Sequence, residues 1–225
     1  MIIVDHEGEE LVRETQFDIA VPVHIEEFEG NIKIFAYPSV ENICKEFEAD
    51  FSNDMFSSDA LNFIRNGCAD FRTELGYREE KYPKNWGYNF ICDIADSGEE
   101  NFAERIRRDG KYKNLTTFNI HDCLAYERVI FAIVKDGQIV SVAVTCDSLQ
   151  KGAEWVEIGT ETAVGYRGNG YSTMAVKALS AFLIQKGYRV LYKCHHMNEA
   201  SCAVAKAAGF KKVGRFYYYV LKKER

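Results

Sequence analysis

The feature of this chain that most constrains its fold is a glycine-containing loop placed directly before a helix. The loop, residues 164–173, follows a β-like segment at 154–163 and runs into an amphipathic segment at 171–186. A helix that begins in this way leaves its first backbone N–H groups unpaired at the positive end of the helix dipole. Gly168 and Gly170 carry no Cβ that would keep a ligand from the backbone. The pattern therefore predicts a pyrophosphate site.

Two well-known phosphate loops do not fit this segment. A Walker loop requires a lysine directly after its last glycine, and none follows Gly170. A dinucleotide fingerprint requires a third glycine early in a βαβ unit, whereas Thr173 holds that position far along the chain. Arg167 adds a permanently charged, planar guanidinium to the loop. Taken alone, the loop also has a simpler interpretation as a solvent-exposed turn with two glycines.

The segments around the loop help to decide between a pyrophosphate site and a solvent-exposed turn. Asp136-Gly137 separates apolar runs at 128–135 and 138–145, which predicts a tight β-hairpin. After the helix come a β-segment at 188–194, the sequence Asn198-Glu-Ala-Ser201, a further helix and Gly209-Phe210. This order is similar to the second half of the fold of the GNAT N-acetyltransferase superfamily. The segment Arg167-Gly-Asn-Gly-Tyr-Ser172 resembles that superfamily's coenzyme A pyrophosphate motif, Gln/Arg-x-x-Gly-x-Gly/Ala, with serine in the last small position.

The resemblance covers about 118–221, nearly half the chain, and looks closest to the branch with a long N-terminal extension. It implies the α/β (α+β) acyl-CoA N-acyltransferase fold, in which helices flank a mixed central sheet. We expect an N-terminal α/β extension at 1–84, packed on a catalytic domain at 85–225. The implied activity is transfer of an acetyl group from acetyl-CoA to a primary amine of a small-molecule or peptide acceptor. The alternative is a non-catalytic regulatory protein that binds acyl-CoA on the same fold.

By the resemblance, coenzyme A lies along the loop and between two diverging strands. Backbone groups of 160–162 would bind its pantetheine arm, Asn198 would contact the same arm and Ser201 would cap the following helix. The residues expected to contact coenzyme A are Thr160, Glu161, Thr162, Arg167, Gly168, Asn169, Gly170, Tyr171, Ser172, Thr173, Asn198 and Ser201. No metal is expected.

The general base is predicted with alternatives. Strand periodicity places Glu157 on one face with Glu161, and its distance from Arg167 resembles that of a strand carboxylate in many GNAT enzymes. The alternative is a surface or ion-paired glutamate. His195 and His196 follow the next β-segment, and an imidazole titrates in a range suited to deprotonating an ammonium through water. Glu157 is the first choice, with His196 as the second catalytic candidate.

The general acid is where the sequence departs from the family. Many GNAT enzymes carry a tyrosine seven residues after the asparagine that starts the last helix, and here that position is Ala205. Three alternatives remain open for protonating the coenzyme A thiolate that leaves in the reaction. Either a tyrosine at 217–219 reaches the sulfur of that thiolate, or water protonates it, or the protein binds acyl-CoA without turnover.

Charge and cysteine usage narrow the function classes. Residues 1–80 carry 19 Asp and Glu against 6 Lys and Arg, whereas residues 81–225 carry 15 against 22. The basic part contains the predicted anion site. Because its Lys and Arg are dispersed, nucleic-acid binding is not expected. Seven cysteines without a Cys-x-x-Cys pair indicate reduced thiols. No membrane or secretory segment is recognised, so a cytoplasmic protein is expected, and a homodimer is left open.

Further elements are predicted before the catalytic half. A hairpin is expected from β-segments at 21–26 and 32–37. Ser39 and Ser57 are predicted to cap helices at 40–50 and 59–75. A strand at 88–93 and a helix at 99–109 follow.

Overall fold

The computed structural model describes residues 1–15, 18–79, 86–92, 103–107 and 112–223. Its helices are α1 His6–Thr15, α2 Glu41–Asp50, α3 Ser58–Gly67, α4 Ala69–Glu74, α5 Ile120–Ala125, α6 Tyr171–Gln185 and α7 Glu199–Ala207. Its strands are β1 Ile2–Val4, β2 Ile19–Phe28, β3 Asn31–Ala36, β4 Tyr77–Glu79, β5 Trp86–Cys92, β6 Glu104–Arg105, β7 Lys113–Asn114, β8 Ile130–Lys135, β9 Gln138–Thr145, β10 Trp155–Thr162, β11 Arg189–His195 and β12 Lys211–Lys223.

The chain divides into two compact units. The first comprises Met1–Tyr88 together with Val213–Arg225, and the second comprises Asn89–Lys212. The C-terminal strand is thus grouped with the N-terminal part of the chain. The boundary expected from the sequence, between residues 84 and 85, stays a prediction.

The first unit is built on the predicted N-terminal hairpin. β2 and β3 pair antiparallel, β1 joins β3 in parallel, and β12 pairs antiparallel with β2. The hairpin is longer than predicted because the pairing continues to Phe28 and Asn31, beside a turn in which Glu29 and Gly30 have positive φ. Its core includes Ile25, Ile34, Phe47, Ile64 and Tyr219.

Two helix predictions in the first unit need correction. Ser57 caps α3 as predicted, since its hydroxyl accepts from the Ala60 N–H at 3.2 Å. Ser39 does not cap α2. A 3₁₀ turn at Pro38–Val40 precedes that helix, and the Ser39 N–H and hydroxyl both bond Glu9. The helix predicted at 59–75 is broken at Cys68, which ends α3 and begins α4.

The second unit contains a mixed sheet in the order β11-β10-β9-β8-β6. β10 and β11 are parallel, whereas β8, β9 and β10 form an antiparallel run. The turn of the β8–β9 hairpin is Asp136-Gly137, as predicted, and both residues have positive φ, 50° and 71°. Part of the helix predicted at 99–109 is instead the edge strand β6, because Glu104 and Arg105 pair with β8. The rest of that prediction lies largely outside the described residues.

Helices cover both faces of this sheet. α6 packs on β8, β9 and β10 through buried residues that include Val176, Leu179 and Leu183. Met174 and Phe182, which the sequence pattern also assigns to the buried stripe, are only partly buried. On the opposite face, α5 contributes to a cluster with Val142 and Val144 of β9. The mixed α+β class expected from the sequence is what the second unit has.

Candidate active site

The pairing between the two parallel strands at the centre of the second unit stops before the strands do. β10 and β11 are in register from Trp155 and Arg189 to Ile158 and Tyr192. β10 nevertheless continues to Thr162 and β11 to His195. The last residues of β10 pair with β9 on the other side. The sheet therefore opens between β10 and β11, and one edge of β10 is left available to a ligand.

A cavity of about 530 Å³ lies at this opening. It is lined by the end of β10, the loop before α6, the first turn of α6 and the first turns of α7. Every residue predicted to contact coenzyme A lines it except Asn169, and four further residues do so: Tyr166, Tyr192, Ala200 and Val204.

The loop has the backbone geometry of an anion site. Gly168 and Gly170 adopt φ of +81° and +74°, a region that side-chain-bearing residues rarely adopt. Gly170 is the N-cap of α6 and has no side chain to satisfy the first turn. The first helical hydrogen bond runs from Met174 N–H to Gly170 O at 3.1 Å. The N–H groups of residues 171–173 precede that bond and point out of the helix end.

Arg167 and Asn169 have different roles in the loop. The Arg167 Nε donates to Thr162 O at 3.1 Å, which fixes the guanidinium beside the cavity and leaves its two terminal nitrogens for a ligand. The Asn169 amide donates to Tyr166 O at 3.0 Å and to Arg167 O at 3.3 Å. Asn169 therefore shapes the loop and does not line the cavity.

A chain of hydroxyl groups connects the strand to the helix. Thr162 Oγ1 lies 2.8 Å from Ser141 Oγ and 2.7 Å from Ser172 Oγ. Ser172 is the residue that replaces the usual glycine or alanine, and its hydroxyl ties the first turn of α6 to the end of β10. Thr160 Oγ1 donates to Val142 O at 2.6 Å, so that side chain is used within the sheet.

The start of α7 differs from the prediction. Asn198 is the cap, because its Oδ1 accepts from the Ser201 N–H at 3.1 Å. The cap role expected of the Ser201 side chain is wrong, since Ser201 Oγ instead lies 2.7 Å from the hydroxyl of Tyr192. Tyr192 is buried, and burial raises its pKa to about 12. The alternation Val190-x-Tyr192-x-Cys194 could have indicated that this ring points inward.

The predicted catalytic residues lie outside the cavity lining. Glu157 is half-buried on β10, and its Oε2 lies 3.7 Å from Lys193 Nζ. Glu161 shares that face, but its carboxylate accepts from the Thr117 N–H and hydroxyl, both at 2.8 Å. His196 follows β11 in the turn that leads to α7, and His195 is the last residue of the strand.

Position 205, where many GNAT enzymes carry the tyrosine that acts as general acid, is closed to solvent. Ala205 is fully buried in α7, and its carbonyl accepts from the Phe210 N–H at 3.0 Å. Tyr217 and Tyr219, two of the alternatives, lie in the apolar core of the first unit, where burial raises their pKa values. Their enclosure in that core speaks against either as the proton donor.

Comparison with known proteins identifies the family. The family model that matches residues 99–219 is that of the GNAT acetyltransferases. The match spans more than half of the chain. This protein belongs to the GNAT acetyltransferase family. The enzyme class predicted from the sequence, N-acetyltransferase, is confirmed at the level of that family.

Solved structures agree with this GNAT fold. The chain is similar to a GNAT-family protein from Novosphingobium aromaticivorans DSM 12444, with 14% identity and a TM-score of 0.51, covering 67% of this chain and 69% of that one. It is similar to a GNAT-family acetyltransferase from Colwellia psychrerythraea, with 14% identity and a TM-score of 0.51, covering 85% of this chain and 76% of that one. Both likenesses concern the fold. No curated protein sequence matches the chain.

The described residues of this GNAT protein contain neither a cluster of metal-binding side chains nor a helix that could span a membrane. Within those residues, no group of three or more His, Cys, Asp or Glu side chains could hold a metal ion. Among the same residues, no helix is long and apolar enough to span a membrane.

The loop geometry predicts the effect of adding a Cβ at Gly170. Gly170→Ala should lower the free energy of unfolding by about 1–2 kcal/mol, because alanine is strained at positive φ. Gly165→Ala is the matched control. It lies in the same connection, its added Cβ would also meet nothing within 4 Å, and its φ is not in the left-handed region. Urea titration of both variants measures the difference, and equal stabilities would contradict the prediction.

Proposed function

We propose that this protein transfers the acetyl group of acetyl-CoA to a primary amine. The observation that carries the proposal is the continuity of one cavity from the helix-end N–H groups of the loop to the opened edge of β10. A coenzyme A molecule has an anionic pyrophosphate at one point and an amide-containing arm beyond it. The cavity offers unpaired donors at one end and strand backbone at the other.

The residues present fit the cofactor part by part. N–H groups of 171–173 and the terminal nitrogens of Arg167 would hold the pyrophosphate. Backbone groups of 160–162, on the edge of β10 that β11 leaves, would pair with the arm in the manner of an added strand. Acetyl-CoA supplies the activated acetyl group, and the protein supplies position and proton transfer.

Glu157 is proposed as the group that accepts the proton of the acceptor amine, directly or through water. It stands on the face of β10 opposite to α6, one residue before the point where pairing with β11 ends. Its Oε2 lies 3.7 Å from Lys193 Nζ, so a cation stands beside the carboxylate. His196 is the second candidate, because it lies in the turn beyond the opened end of β11.

Tyr192 is proposed as the group that donates a proton to the coenzyme A thiolate, because Ala205 occupies the position of the usual tyrosine. Tyr192 is the last residue of β11 that pairs with β10, and it lines the cavity. The hydroxyl is oriented by Ser201 Oγ at 2.7 Å. Because burial raises the pKa of Tyr192 to about 12, the phenol holds the proton that it would donate at neutral pH.

The direct test follows thiol release from acetyl-CoA with a panel of polyamines, amino acids, aminoglycosides and peptides. Release that depends on an added amine supports the proposal. Tight binding of acetyl-CoA by calorimetry without release on any amine would contradict it and favour a non-catalytic acyl-CoA-binding protein.

Arg167→Ala should weaken acetyl-CoA binding by about 1.5–3 kcal/mol, or roughly 10- to 150-fold in Kd, because a charge-assisted hydrogen bond is lost. The loss should shrink at high salt. Lys186→Ala removes an equal charge at the other end of α6 and should bind normally. Calorimetry measures all three proteins, and an unchanged Kd for Arg167→Ala would remove this side chain from the site.

Glu157→Gln should lower turnover by about 10²- to 10⁴-fold at neutral pH with little change in acetyl-CoA affinity, because the amide cannot accept the proton. The loss should be smaller at high pH, where more of the amine is already neutral. Glu154→Gln is the control, since Glu154 is exposed directly before the same strand and paired with Arg189 at 3.4 Å. Full activity of Glu157→Gln at neutral pH would shift the role to His196.

Tyr192→Phe should lower kcat by about 10²-fold, the lower end of the range for proton transfer by a side chain, with Kd for acetyl-CoA unchanged. Tyr188→Phe is the control, because among the described residues its hydroxyl bonds only Gln150 O, at 3.4 Å. Steady-state kinetics with both variants decides the point. A Tyr192→Phe protein with the kcat of the parent would show that water supplies the proton.

A further inference from the structure

A second cavity lies in the same unit as the candidate active site. Its volume is about 370 Å³, and it is formed by the segment that leads from β7 through α5 to β8. Its lining consists of Thr117, Phe118, Asn119, Asp122, Cys123, Tyr126 and Arg128. None of these residues lines the cavity assigned above to coenzyme A.

Contacts with β10 locate this second cavity. Phe118 covers Gly159, since a Cβ added there would lie 3.6 Å from its ring, and Thr117 bonds the Glu161 carboxylate twice. Strand alternation places Gly159 and Glu161 on the same face as Glu157. Thr162, on the opposite face, bonds α6. The second cavity therefore adjoins the face of β10 that carries the proposed base.

Arg128 is the unusual residue of this cavity. Its Nε is buried without a hydrogen-bond partner, and the guanidinium makes no ion pair with any residue that the structure describes. Its backbone is fixed, because the Arg128 N–H donates to Cys123 O at 2.9 Å. A buried N–H donor without a partner is costly, and a carboxylate would satisfy it by accepting two parallel hydrogen bonds, one from Nε and one from a terminal nitrogen of the guanidinium.

Cys146 lies close to both Arg128 and the proposed base, Glu157. Burial raises the pKa of the Cys146 thiol to about 11, and the charges that act on it include Glu157, which raises that pKa, and Arg128, which lowers it. The Cys146 N–H also donates to Glu157 O at 2.8 Å. The Thr145 N–H donates to Val129 O at 3.0 Å, so Arg128, Cys146 and Glu157 lie at neighbouring positions in three adjacent chain segments. A ligand held by Arg128 would therefore lie one segment away from the strand that carries the proposed base.

The other side chains that line the second cavity indicate which kind of molecule could be attached to the anionic group. Tyr126 is 68% exposed, and Phe118 is partly buried beside it in the cavity wall. Asp122 accepts from the Asn119 amide at 2.6 Å, so this carboxylate already has a donor. The cavity therefore combines one unpaired cation with two aromatic side chains, which suits an anionic group attached to an apolar or amphipathic body.

We infer that this cavity binds the amine acceptor, and that the acceptor is an amine that also carries a carboxylate, which Arg128 binds through its guanidinium. The inference rests on the proposed acetyl transfer and names its substrate class. It selects amino acids and related amino-carboxylates over polyamines and aminoglycosides, which carry no anionic group.

The test compares acceptors that differ only by the carboxylate. We would measure kcat/KM by thiol release for phenylalanine against 2-phenylethylamine and for lysine against 1,5-diaminopentane, with the parent protein and with Arg128→Ala. Arg128→Ala should lower kcat/KM at least about tenfold for each amino acid and less than about twofold for each amine without a carboxylate. Comparing variant with parent for the same acceptor cancels differences in amine basicity.

Two variants keep the result interpretable. Arg128→Lys retains the charge without the planar fork and should recover part of the loss. Arg105→Ala removes an arginine that stacks on Phe182, at 4.7 Å, and should leave the acceptor preference unchanged. If Arg128→Ala fails to fold, inhibition of Arg128→Lys by N-acetylphenylalanine replaces it, and the inhibition constant should rise relative to that of the parent.

The outcomes separate this inference from the proposed function. An equal loss of kcat/KM for both members of each pair in Arg128→Ala, or no loss for either, overturns the carboxylate site and leaves acetyl transfer intact. Absence of acetylation on every amine overturns the proposed function. In that case, calorimetry of phenylalanine binding to the acetyl-CoA-saturated protein still decides on Arg128, and binding that Arg128→Ala does not weaken overturns the site.

Discussion

The separation of β10 from β11 beyond Ile158 and Tyr192 is the constraint on which the site depends. A backbone edge within a sheet normally has a partner, and leaving it without one is unfavourable unless something else pairs with it. Here β9 holds β10 on its other edge, and the hydroxyl chain from Ser141 through Thr162 to Ser172 ties the free end of β10 to α6. The opening is therefore held by the protein before any ligand arrives. The helix end and the strand edge keep a fixed separation, which is what preorganised binding requires.

Much of the local structure of the candidate cofactor site could be predicted because its signals are local. Gly168 and Gly170 indicate positive φ, the apolar stripe of α6 indicates where a helix begins, and Asp136-Gly137 indicates a two-residue turn. Each of these is a property of a few consecutive residues, and each agrees with the structure. Asn169 shows the limit, since its position in the motif suggested a ligand contact and its amide instead bonds two carbonyls of its own loop.

The features that could not be predicted depend on partners distant in sequence. Ser39 has the chemistry of a helix cap, but Glu9 offers a charged acceptor to both its N–H and its hydroxyl. Glu104 and Arg105 lie in a helix-like pattern, yet they pair with the edge of β8 that faces away from β9. Tyr192 and Ser201 meet only once β11 and α7 are packed together. Tertiary packing likewise determines the residue at which the pairing of two strands ends, so no short sequence segment predicts it.

Strand periodicity gives the two proposed substrates separate faces of β10. Ile158, Thr160 and Thr162 project toward the α6 side, while Glu157 and Glu161 project from the opposite face, which Thr117 and Phe118 contact. A continuous sheet would keep a thioester on one face apart from an amine on the other. The opened pair of strands removes that barrier over the last residues of β10, just beyond Glu157. In the proposed reaction, the break in pairing between β10 and β11 exposes the edge of β10 to the pantetheine arm. The same break lets the amine reach the acetyl carbon. Cofactor binding and acetyl transfer would therefore both depend on this interruption of the regular sheet.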